Sequence, residues 1–321
     1  MFLDFRKRVV QASERIRHDI KRTRLEYSPA LSEISGVEVY LKWENEQRTG
    51  SFKFRGALNK VRSLSSEEKR KGIVSASTGN HGLGISLAAR LEGIVLTLVL
   101  PTNVSKEKRR RLEESGAEII EYGESCEKAE LRARRLAKGT GSVYISPYND
   151  EEVICGQGTI GLEIFEDLPD AEAVLVPVGG GGLIAGIAGY LKPINNKIRI
   201  FGVEPEHSAF MIASLSAGRI VEIQEKETIA DAVAGGIEPG SMTFPLCQKL
   251  LDGIITVEES VVREAMRLLY EKHQKMIEGA GALSLAGLMK ERAHFQKRKI
   301  VLVASGGNIS PQSFQEAVSA L

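Results

Sequence analysis

The sequence predicts an α/β protein of two parallel-sheet domains, the smaller inserted in the larger. Three observations predict it. The chain has 321 residues, more than the commonest single-domain size. From about residue 37 onward, short apolar runs alternate with amphipathic stretches, the order that needs parallel strands with helices on both faces. No linker is marked by composition, so an insertion fits better than two domains in tandem. The expected boundaries put 1–66 and 149–321 in the larger domain and 67–148 in the smaller.

In order, 4–24 reads as a charged amphipathic helix and 27–35 as loop or short helix. Residues 37–43 read as a strand and 52–64 as a helix. The stretch 72–147 then alternates regularly. Its strands are 73–76, 94–100, 118–122 and 142–146. Its helices are 80–91, 105–115 and 125–138; Ser105 caps the second and Gly116 stops it. A second run starts near Gly156. Its strands are 173–178, 198–203, 254–257 and 300–304. Its helices are 159–166, 183–191, 209–217, 229–234, 244–251, 258–274, 280–291 and a last one from about Pro311.

Hydrophobic residues make up 42% and charged residues 26%, which suits a soluble protein with a full core. The net charge of +1 argues against nucleic acid as the main partner. The basic run at 106–111 (KEKRRR) reads as a solvated helix face. The N-terminus lacks a signal-peptide layout, and no apolar run approaches a membrane span. Three widely spaced cysteines, Cys126, Cys155 and Cys247, suit a reduced, cytoplasmic protein. The five histidines lack metal-ligand spacing.

Five stretches carry chemistry. In Ser51-Phe52-Lys53-Phe54-Arg55-Gly56 a lysine sits between aromatic rings at a helix start. Desolvation and the positive helix end both favour its neutral, nucleophilic amine, which can form a Schiff base with a carbonyl cofactor. Ser77-Thr78-Gly79-Asn80-His81-Gly82 follows a strand and opens a helix. Its N–H groups suit a carboxylate or phosphate and Asn80 can hold a phenolic oxygen, though an ordinary capped turn fits the same residues. Gly179-Gly180-Gly181-Gly182 forms a nest of N–H groups for an anion. Gly180, Gly182 and Ala185, with Glu204 ending the next strand, also fit a dinucleotide fingerprint, which would make the protein an NAD-dependent oxidoreductase. Ser305-Gly306-Gly307-Asn308 follows a strand, where a serine hydroxyl can meet a pyridine nitrogen or simply cap the last helix. Glu278-Gly279-Ala280-Gly281-Ala282 offers a carboxylate beside small residues.

Taken together, SFKFRGA (51–57), STGNHG (77–82), GQGTIGLEI (156–164), GGGG (179–182), EGAGA (278–282) and SGGN (305–308) resemble, in this order, the serine/threonine dehydratases. These are fold-type II pyridoxal-phosphate enzymes, tryptophan synthase β-like and related to serine racemase. The resemblance covers nearly the whole chain. It implies a large domain that binds pyridoxal 5'-phosphate and a small mobile one. It implies that Lys53 forms the Schiff base, Phe52 packs beside the ring, Asn80 bonds the phenolic oxygen, 179–182 cradle the phosphate and Ser305 faces the ring nitrogen. Ser77, Thr78, Gly79 and His81 would receive the substrate carboxylate.

The implied reaction is β-elimination by an ammonia-lyase. Lys53 removes the α-proton of L-threonine or L-serine, the β-hydroxyl leaves as water, and a 2-keto acid and ammonia follow. Thr78 stands where racemases carry a reprotonating serine. Tyr148 stands where racemases have asparagine and dehydratases often have phenylalanine. Metal-binding relatives pair an acid at Glu204 with a second six residues on; here that is Phe210, so no metal is expected. Residues 232–237 and 243–246 look more like the hydroxyectoine-utilisation dehydratases. A dehydratase for 3-hydroxyaspartate or a hydroxyectoine-derived amino acid, a racemase, and a non-catalytic ligand-binding relative are therefore alternatives. The chain stops 13 residues after Asn308, so no regulatory domain is expected. The family habit is a homo-dimer or tetramer.

Overall fold

Residues 5–296 and 298–319 are described by a computed structural model of the chain. The helices are α1 (Phe5–Ile16), α2 (Pro29–Ser35), α3 (Lys53–Ser63), α4 (Ser66–Lys71), α5 (Asn80–Leu91), α6 (Lys106–Glu114), α7 (Cys126–Thr140), α8 (Glu151–Asp167), α9 (Gly182–Leu191), α10 (Phe210–Ala217), α11 (Thr243–Leu250), α12 (Glu259–His273), α13 (Gly279–Glu291) and α14 (Pro311–Ser319). The strands are β1 (Leu25–Tyr27), β2 (Glu38–Trp43), β3 (Ile73–Ala76), β4 (Leu96–Leu100), β5 (Glu118–Glu121), β6 (Val143–Tyr144), β7 (Ala173–Pro177), β8 (Arg199–Pro205), β9 (Gly253–Val257) and β10 (Lys299–Ala304).

The larger sheet runs β1-β2-β10-β7-β8-β9 and the smaller β5-β4-β3-β6. Every pairing is parallel except the edge pair β1–β2. Side chains alternate across the larger sheet. Val174, Val176, Val301 and Val303 enter the core beneath α1, α8 and α9. Ala173, Leu175, Ile300 and Leu302 enter the one beneath α12 and α13. A strand buried on both faces needs apolar residues at every position, which is why β7 and β10 read as unbroken apolar runs.

The smaller sheet buries Leu96, Leu98 and Leu100 against Phe54, Leu58 and Val61 of α3. Its other face packs Val74 and Val99 on Ala129, Ala133 and Ala137 of α7. Helix α3 therefore helps to close the smaller core from a position in the chain before it. Its underside is fastened by charge. Arg55 donates to Glu44 at 2.8 Å and to Glu163 at 2.6 and 2.9 Å, and Lys42 donates to Glu163 at 2.6 Å. All four side chains are buried and their charges cancel, so loss of any one would strand a buried charge.

Several elements differ from expectation. The helix predicted over 4–24 ends at Ile16, because Lys21 N–H instead bonds Gln47 Oε1 and residues 25–27 pair with β2; Asp4 lies outside the described residues. The helix predicted over 159–166 begins at Glu151, capped by Asp150. Its glycines are contact points rather than breaks. A Cβ on Gly156 would lie 2.6 Å from Gly56 Cα, and one on Gly158 2.9 Å from Gly186 O. Backbones of α8, α3 and α9 thus approach closely. Helix α4, with a Ser65/Glu68 capping box, was not anticipated.

Candidate active site

Loops from both sheets converge at one cleft. Lys53 follows β2, Ser305 follows β10 and the four glycines follow β7, three neighbouring strands with their carboxyl ends together. This is where open α/β sheets place ligands. The turn 77–79 arrives from β3 of the smaller sheet. The 50–52 and 305–307 loops are zipped together. Phe52 N–H donates to Ser305 O at 3.1 Å, Gly307 N–H to Gly50 O at 2.9 Å, and Ser51 and Gly306 form an antiparallel bridge.

Phe52, Lys53, Asn80, Tyr148, the four glycines, Glu278 and Ser305 line the cleft, whose volume is about 470 Å³ counted to its open mouth. Lys53 Nζ donates to Pro147 O at 2.9 Å and lies 5.1 Å from the Phe52 ring centroid. Burial disfavours the ammonium and lowers its pKa to about 8.

The glycines fit a group that needs close backbone approach. A Cβ on Gly179 would lie 2.6 Å from Val233 O, and one on Gly180 2.5 Å from the Tyr148 ring. Gly181 has φ of 84° and opens α9 as its N-cap, so N–H groups and the positive helix end gather here. Thr243 Oγ1 donates to Gly180 O at 2.6 Å, and Tyr148 Oη accepts from Glu238 N–H at 2.8 Å.

Asn80 opens α5 and is buried. Its Nδ2 donates to Glu278 Oε1 at 2.6 Å, and its Oδ1 accepts from Asn308 Nδ2 at 2.6 Å. Burial pushes the Glu278 carboxyl up to about 7, against the opposing hydrogen bond from Asn80. The buried Ser305 hydroxyl lies 3.5 Å from Ala280 O, a contact long enough to leave it free for a ligand.

The expected substrate loop is only partly drawn in. Asn80 lines the cleft; Ser77, Thr78 and Gly79 form a half-buried turn beside it, outside the lining. His81 is buried, with Nε2 3.2 Å from Ser75 Oγ. Burial, then the nearby Lys53 charge, lowers its pKa to about 3, so it is neutral. Glu204 accepts N–H bonds from Met211 at 2.8 Å and Ile212 at 2.9 Å, capping α10. Both of its oxygens thus serve the start of α10, a structural task that accounts for this buried acid without a ribose.

Within the 106–111 run, expected as a solvated helix face, Arg111 turns inward and donates to Asn308 Oδ1 at 2.9 Å. Pro147 O, the Thr243 hydroxyl and the Asn308 side chain also reach the site, and no sequence signal assigns them a role there. Thr243 stood inside a quoted motif, and Asn308 ended another.

An amine primed as a nucleophile at one end and an anion nest at the other define a site for a phosphorylated aldehyde cofactor. Residues 16–306 match the Pyridoxal-phosphate dependent enzyme family, and the chain belongs to it. It is 44% identical to an L-threonine ammonia-lyase of Thermotoga maritima, over 94% of this chain and 75% of that one. It is 41% identical to the L-threonine dehydratase catabolic TdcB of Escherichia coli K12, over 94% and 92%. The processed form of threonine deaminase isoform 2 from Solanum lycopersicum has a similar structure, with TM-score 0.93 and 36% identity, covering 98% of this chain and 93% of that one. The protein is a pyridoxal-phosphate enzyme of the lyase type, with the fold-type II architecture.

Proposed function

We propose that the protein is an ammonia-lyase that dehydrates and deaminates L-threonine or L-serine to a 2-keto acid and ammonia. The observation that carries this reading is the Lys53 amine facing the glycine nest and Ser305 across one cleft. When bound there, pyridoxal phosphate supplies the electron sink that acidifies the α-hydrogen of an attached amino acid.

The chain's residues do the rest. Residues 179–182 would hold the phosphate, and Phe52 would pack beside the ring. Asn80 Nδ2 would donate to the phenolic oxygen. Ser305 would offer the ring nitrogen a neutral hydroxyl in place of a carboxylate. Lys53 Nζ would anchor the cofactor covalently and would be the base that takes the substrate's α-proton. The β-hydroxyl leaves as water, and the released enamine is hydrolysed to keto acid and ammonia.

The substrate carboxylate is assigned to the turn Ser77-Thr78-Gly79 at the α5 N-terminus. There backbone N–H groups replace a cation, since neutral His81 supplies none. Thr78 is placed as the hydroxyl nearest the substrate in that turn. The reading includes residues 67–148 as a small unit that closes over the substrate, a homo-oligomer, and a cytoplasmic location, the last supported by three free cysteines. No helix among the described residues is long and apolar enough to cross a membrane.

A substrate panel tests the reading. Holoprotein is mixed with L-threonine, L-serine, their D-isomers and 3-hydroxyaspartate, and keto acid and ammonium are measured together. Equal amounts of both, fastest from an L-isomer of threonine or serine, are expected. Faster turnover of 3-hydroxyaspartate would move the assignment to that alternative, and no keto acid from any of them would end it.

A further inference from the structure

The other arginines and the paired lysine of α6 meet carboxylates. Lys108 pairs with Asp231 at 2.8 Å, Arg109 with Glu113 at 2.9 Å and Glu121 at 2.5 Å, and Arg110 with Glu114 at 3.2 Å. Arg111, half-buried on the same helix, instead gives its Nη2–H to an amide, Asn308 Oδ1. A guanidinium has only donors, so it can meet only the oxygen side of that amide.

The consequence runs inward. With Oδ1 toward Arg111, the Asn308 NH2 group faces two acceptors, Thr49 O at 2.8 Å and Asn80 Oδ1 at 2.6 Å. Asn80 therefore shows its oxygen to Asn308 and its own NH2 to Glu278 and the cleft. Glu278 closes the loop by accepting Asn308 N–H at 3.1 Å. Asn308 is also wedged sterically: a Cβ on Gly50 would lie 2.6 Å from its Oδ1. A deprotonated phenolic oxygen accepts hydrogen bonds and cannot donate one, so only the NH2 side of Asn80 can meet it.

We propose that Arg111 is a positioning residue. Acting through Asn308, it holds the Asn80 amide with its NH2 toward the cofactor's phenolic oxygen, and so ties helix α6 of the smaller unit to that contact. The inference rests on the reading that Asn80 serves the cofactor. Thr49 O favours the same orientation of Asn308, so loss of Arg111 loosens the arrangement without inverting it.

The test uses wild type, R111A, R111K, N308A and the R111A/N308A double variant. Pyridoxal-phosphate dissociation is measured by equilibrium dialysis, with the wavelength of the bound cofactor's visible band and the melting temperature of the apoprotein. R111A is expected to weaken cofactor binding about threefold to tenfold, the scale of one ordinary hydrogen bond, because Arg111 acts on the contact only through Asn308. The visible band is expected to shift and apoprotein melting to stay the same. R111K, which keeps a donor-only cation, recovers part of the loss. The double variant binds no more weakly than N308A alone, because the two residues act in series. R111A binding within twofold of wild type, or losses that multiply in the double variant, overturns the inference. If N308A does not fold, R111A against R111K decides by itself. Wild-type protein that takes up no cofactor would overturn the functional reading itself, an outcome distinct from these.

Discussion

Lys53→Ala protein is expected to lose keto-acid production by about a thousandfold or more, the scale of removing a group with the two roles proposed for Lys53, covalent anchor and proton acceptor. The fold should survive. Lys53 is the first residue of α3, and its Nζ donates to Pro147 O. Alanine is a better helix former than lysine, and the core contacts of α3 come from Phe54, Leu58 and Val61. Melting should therefore change little while turnover disappears. A steady-state assay with a melting curve on the same sample checks both. Activity above about a tenth of wild type would mean that another group does this chemistry.

Gly181→Ala is expected to weaken pyridoxal-phosphate binding about tenfold or more and to lower the melting temperature. Two costs combine. At φ of 84° an L side chain is strained, and the new Cβ would lie 2.8 Å from Met211 Cε, 3.1 Å from Thr243 Cβ and 3.2 Å from Cys247 Sγ. Left-handed strain costs about 1–2 kcal/mol and overpacking about 1–3 kcal/mol. Met211 and Thr243 lie against the glycine loop, so relief of the clash would move the N–H groups proposed to face the phosphate. Gly139→Ala is the control. Gly139 lies in α7 with nothing within 4 Å of a new Cβ, and alanine there should leave binding unchanged and stabilise by about 0.5–1 kcal/mol. Dialysis and thermal melting on both variants separate the cases. Wild-type affinity in Gly181→Ala would show that the loop does not hold the phosphate.

Much of this site was legible because its signals are local. β7 and β10 are continuous apolar runs, and the glycine and serine turns follow them directly in the chain. Other features have no local signal. β1 is three residues long and exists through its pairing with β2. The first two turns of α8 lie outside the helix expected over 159–166, and their Gly156 and Gly158 let helix backbones touch. Arg111 looks like one more solvated cation in a basic run; its partner lies 197 residues away. Motif membership also does not say which way a side chain turns. Asn80 and His81 are adjacent, yet one lines the cleft and the other points at Ser75.

The most direct measurement is the site of covalent attachment. Apoprotein is mixed with pyridoxal phosphate, the lysine–cofactor bond is fixed by borohydride reduction, and the labelled peptide is mapped. The label is expected on Lys53, with a rate of uptake that rises through about pH 8, where burial brings the amine to its neutral form. A label on a different lysine, or none, would contradict the account.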